Sequence, residues 1–142
     1  MSETYDMVHW VRWCRRVITG VSALFVLGAA SHLLLGVWLQ RWGTFLGFDS
    51  RLITASMALV VLAAALSLLL TAWRLPAVGR TRLLLAIIVA WVIALLFVSN
   101  LLLYRSGLYE CLLWGAIVVH LHVAWSYLRG GDLGATVPNR RP

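Results

Sequence analysis

Apolar positions along this chain gather into four long runs, near 17–39, 52–73, 83–103 and 108–128, and arginine bounds each of them. An α-helix rises ~1.5 Å per residue, so ~20 apolar residues just cross a hydrocarbon layer of ~30 Å. The pattern predicts an all-α integral membrane protein, an antiparallel four-transmembrane-helix bundle occupying 17–128. A cleavable leader is the rival reading of the first run, since Arg15 and Arg16 precede it and Gly28-Ala29-Ala30 resembles a cleavage site. The run continues through Leu33, Leu34, Leu35, Val37 and Trp38, and that length favours a retained helix.

Ahead of the first run, Trp10, Trp13, Cys14 and Val17 recur at i, i+3, i+4 and i+7, with Arg12, Arg15 and Arg16 off that stripe. This predicts a short N-terminal amphipathic helix over 1–16, lying in the interface. The tail, 129–142, opens with Gly130-Gly131-Asp132 and ends Pro138-Asn139-Arg140-Arg141-Pro142. Its apolar content is too low to pack, so it reads as a disordered cytoplasmic segment. Between the runs, the first connection (40–51) holds Gly43, Gly47 and Asp49, and the second turns at Pro76 and Gly79. The third centres on Arg105, Ser106 and Gly107 and must close a tight hairpin.

Composition narrows the class further. Hydrophobic residues make up 62% of the chain and charged ones only 12%, which excludes a conventional water-soluble core. Arginine supplies all twelve basic side chains against five acidic ones, for a net charge of +7. Because these arginines flank the runs and form no basic face, they speak for membrane topology and lipid headgroups, and not for nucleic acid. Nine fall in the N-terminal segment, the second loop and the tail, and three in the other two loops. By the positive-inside rule both termini are cytoplasmic, in a multi-pass protein of a bacterial inner membrane.

Membrane helices associate where small residues let backbones approach. Gly20, Leu24, Gly28, His32 and Gly36 make such a stripe in the first run, as do Ala86, Ala90 and Ala94 in the third and Cys111, Gly115, Val118, His122 and Ser126 in the fourth. They predict a compact bundle with a membrane-protein partner or a second copy of itself. Trp38, Trp42, Trp73 and Trp125 sit near run ends, where indoles favour the interface. Cys14 and Cys111 are separated by the membrane thickness, too far for a disulfide.

Ionisable side chains are costly inside a bilayer, so they are the first candidates for function. His32, Glu110, His120 and His122 qualify. Counting ~1.5 Å per residue puts His32 about 10 Å and Glu110 about 3 Å below the external edge, with His120 and His122 about 9 to 12 Å from the opposite one. A haem b would need two axial histidines at one depth, and His32 lies roughly 8 to 11 Å from His120 and His122 along the normal. Two residues apart on a helix, His120 and His122 point to opposite faces and cannot share one metal. At the external end, His32, Asn100, Glu110 and Cys111 could converge as a polar cluster able to carry a proton.

Three function classes follow. The first is an accessory or structural subunit of a larger membrane complex, the second a haem b or quinone-binding redox anchor through His32, His120 or His122, and the third a small transporter or membrane enzyme using His32 and Glu110. No ordered motif such as His-Glu-x-x-His supports catalysis, and no metal site is predicted.

Overall fold

The computed structural model is all-helical, with α1 (Ser2–Leu39), α2 (Ser50–Trp73), α3 (Arg80–Tyr104) and α4 (Leu108–Ala135) in chain order. The structure describes the backbone of residues 2–39, 50–75, 77–105 and 107–135, and the side chains of 9–35, 52, 55–75, 77–103, 105 and 107–129. Within those residues each helix carries a stretch long and apolar enough to cross a membrane: His9–Leu35, Ala55–Trp73, Arg80–Leu103 and Leu108–Arg129.

The helices pack as a ring. α1 meets α2 and α4, and α3 meets α4 and α2; among the described residues the backbones of α1 and α3, and of α2 and α4, do not approach closely across the ring. The α1–α2 pairing is the most extensive and the α2–α3 pairing the least.

Inward positions recur at three- and four-residue intervals, the helix repeat. α1 turns in Val11, Cys14, Ile18, Ser22, Phe25 and Ala29; α2 contributes Ala58, Ala65, Leu68 and Ala72; α3 Leu83, Ala86, Ala90 and Ile93; α4 Trp114, Ile117, Leu121 and Ala124. Alanine recurs at the inward positions of α2 and α3, where a short side chain lets backbones approach closely. Leucines face out, among them Leu27, Leu70, Leu95 and Leu112. The Ser22 hydroxyl is fully buried without a hydrogen-bond partner.

Three expectations are revised. No separate interfacial helix precedes the first span, because no glycine or proline interrupts the chain before Gly20 and α1 runs unbroken from Ser2. Val11 and Cys14 are core residues, and Trp10 stacks on Tyr127 of α4 at 6.4 Å between ring centroids, so this segment belongs to the bundle. The glycines of the α1 stripe do not bring helices into contact: Gly20 and Gly28 are exposed, a Cβ at either would meet nothing within 4 Å, and Gly28 borders a cavity together with Leu24 and His32. At the other end α4 continues beyond Arg129 to Ala135, stopping short of Pro138. The first connection, with Gly43, Gly47 and Asp49, lies outside the described residues, as does 136–142.

Two turns organise the rest. After α2 the Arg74 and Leu75 amides donate to the Thr71 and Ala72 carbonyls, leading into Gly79 at the start of α3. After α3, Arg105 adopts a left-handed conformation (φ 53°) and its N–H caps the Leu101 carbonyl at 2.9 Å. Gly107 follows with φ 87°, a region open to glycine and strained for other residues.

Candidate functional site

Trp114 divides the bundle. Its side chain is completely buried, and its indole N–H donates to the Ala90 carbonyl of α3 at 2.8 Å. Ala90 permits this bond because a larger side chain would keep the ring from the α3 backbone. Around the indole, Phe25 of α1 stands edge-on at 4.8 Å and Phe97 of α3 lies tilted at 5.8 Å, with 5.6 Å between the two phenyl rings. Three helices are thereby tied by one aromatic cluster.

To one side of this cluster the inward positions are filled. On the other the helices leave a cavity of about 820 Å³, which Phe25 and Phe97 line as its aromatic floor. Its apolar walls include Ala29 of α1, Met57, Ala58 and Val61 of α2, Ile93 of α3 and Leu113 of α4. Its polar groups are His32, Asn100, Tyr109 and Glu110, one or two from each of α1, α3 and α4.

Each polar residue prolongs an inward row. His32 follows Phe25 and Ala29 at helical spacing, and Glu110 lies one turn before Trp114 on α4. Both are exposed at the open end, and Asn100 is half-buried. A Cβ on Gly107 would sit 3.2 Å from Asn100 Nδ2 and 3.6 Å from Glu110 Oε2. The bare glycine therefore lets the amide and the carboxylate lean over the same turn.

Of the residues singled out from the sequence, His32, Asn100 and Glu110 line this one cavity, whereas Cys111, half-buried on α4, does not. His120 and His122 also lie elsewhere, two to three turns further along α4 and beyond Trp114. His120 Nδ1 bonds the Ala116 carbonyl at 2.7 Å and His122 Nδ1 the Val118 carbonyl at 2.9 Å. A carbonyl only accepts, so in both rings Nδ1 is the donor. His120 is half-buried; His122 is exposed and packs edge-on against Trp91 at 6.1 Å. His32 lines the cavity, and neither of these two histidines does. Among the described residues no three His, Cys, Asp or Glu side chains gather into a metal site.

Sequence reasoning missed the aromatic floor and Tyr109. A signal existed, because Trp114 lies in mid-run, out of place for an interfacial belt.

Chemically, the arrangement offers hydrogen-bond donors from His32 and Asn100, a carboxylate that repels anions, and a flat aromatic surface beneath. Comparison of the chain with protein families, with curated proteins and with solved structures finds no match, so function is read from the site alone.

Proposed function

We propose that this chain is a multi-pass inner-membrane protein, an antiparallel four-helix bundle with both termini cytoplasmic, that binds a neutral ring-bearing amphiphile of the quinone class. The single observation that carries the reading is the cavity of about 820 Å³ with an aromatic floor and His32, Asn100 and Glu110 among its lining groups. Its size falls within the ~300–1,000 Å³ of small-molecule sites, and apolar walls with a few convergent polar groups are the usual pattern. A quinone ring stacks on Phe25 and Phe97 and accepts hydrogen bonds from His32 and Asn100, while Glu110 exchanges protons with the quinol form. Fatty acids fit worse, because their carboxylate would face Glu110.

Titrating a short-chain quinone into the detergent-purified protein, with tryptophan emission as the readout, tests this. Saturable quenching is expected, and the double variant His32→Ala, Asn100→Ala should weaken it about tenfold, as loss of two hydrogen bonds implies. Unchanged saturation in that variant would sink the reading.

A second reading, the accessory subunit, is favoured by the open face of Gly20, onto which a neighbouring helix could pack. A fall in oligomeric mass on Gly20→Leu would support it.

A further inference from the structure

At the end of the bundle away from the cavity, a smaller hollow of about 240 Å³ lies between the start of α3 and the end of α4. Val78, Arg80, Leu83, Trp125, Leu128 and Arg129 line it. Arg80 and Arg129 are exposed, Leu83 is buried, and Trp125 and Leu128 are half-buried. Two guanidinium groups thus stand over an apolar wall, with an indole between them and the core.

The start of α3 adds to the positive potential. Gly79, its N-cap, is extended and brings no side-chain hydrogen bond, and the first turn holds no acidic residue. The amides of that turn lie at the positive pole of a 25-residue helix.

Guanidinium forks and a helix N-terminus are both phosphate-binding devices. The apolar wall decides what the phosphate is attached to. A free phosphate gains nothing from Leu83 and Leu128, whereas a phospholipid uses both parts of the hollow. Its phosphodiester meets Arg80 and Arg129, its glycerol and upper acyl chain lie along Val78, Leu83 and Leu128, and Trp125 sits at the ester level that indoles favour. A choline or ethanolamine group would meet two positive charges. We infer that this hollow binds the headgroup of an anionic phospholipid, a site that rests on the membrane insertion proposed above and is independent of what fills the cavity.

The test uses the full chain in nanodiscs of phosphatidylglycerol and phosphatidylcholine, with native mass spectrometry counting the lipids retained as detergent is raised. Wild type should keep a phosphatidylglycerol after phosphatidylcholine is lost, and Arg80→Gln with Arg129→Gln should lower that retention about tenfold. Arg74→Gln, at an exposed arginine outside the hollow, should not. Equal retention of both lipids, or an equal loss with Arg74→Gln, overturns the site. Displacement of the lipid by millimolar inorganic phosphate assigns the hollow to a free anion and overturns the lipid assignment. Should the double variant unfold, Arg129→Lys keeps the charge without the fork and is expected to give an intermediate loss; full retention in it counts against the site. A chain that never enters the nanodisc overturns the insertion reading and this site together.

Discussion

The two halves of the bundle, divided at Trp114, use the same residue types to opposite ends. In the closed half Cys14, Ile18, Ala65, Leu68, Ala90, Ile117, Leu121 and Ala124 are all at or below 2% exposure. In the open half Ile93 is as buried, but Phe25, Ala29 and Ala58 stand at 9%, and Leu24, Met57 and His32 around the same cavity are exposed. The difference lies in what fills the centre: in one half side chains from opposing helices meet, and in the other short side chains on α2 face empty space. Close packing rigidifies the first half, and the second is left room for something else.

Substitutions should therefore differ in kind between the halves. The largest effect is expected for Trp114→Ala, which removes the aromatic keystone and its bond to Ala90. A loss of about 3 kcal/mol or more is expected, as for other buried aromatic deletions, measured by thermal or denaturant unfolding in detergent. Trp114→Phe keeps most of the ring and should lose about 1 kcal/mol. A small effect of the alanine variant would mean that the two halves are not joined through this residue.

Ala58→Phe reverses the pattern. In the closed half such an enlargement would cost about 1–3 kcal/mol by overpacking, but here the new ring enters the cavity. Stability should stay within about 1 kcal/mol of wild type, and quinone-dependent quenching should disappear. Retained saturable quenching would place the ligand elsewhere.

The smallest effect belongs to the outer surface. Gly20→Ala meets no neighbour and lowers the entropy of the unfolded chain, so it should stabilise by about 0.4–1 kcal/mol. Destabilisation would show that Gly20 is in contact with a partner.

Depth was legible in the sequence and azimuth was not. Hydrophobic length is a one-dimensional property, so the runs at 52–73 and 83–103 correspond closely to helices at Ser50–Trp73 and Arg80–Tyr104. The same counting set His32, Asn100 and Glu110 near one end and His120 and His122 near the other. Which face turns inward is hidden where apolar residues surround the helix, since no polar face gives contrast. Small residues were an ambiguous substitute: Ala86 and Ala90 mark the packed face of α3, while on α1 Gly20 is exposed and Gly28 borders the cavity. The cavity was invisible for a further reason. It arises from the sparse α2–α3 pairing, which no single helix encodes.

The ring order of the helices also carries a timetable. A chain made from its N-terminus produces α1 first and α4 last of the four, yet these two are neighbours. Asn100 and Glu110 come together as soon as the short α3–α4 turn closes, a local event. His32 joins them only when α1, made some seventy residues earlier, docks against α4. The cavity is thus completed only once α4 is made, and a nascent chain halted before α4 has His32 without the tryptophan that supports the cavity's floor.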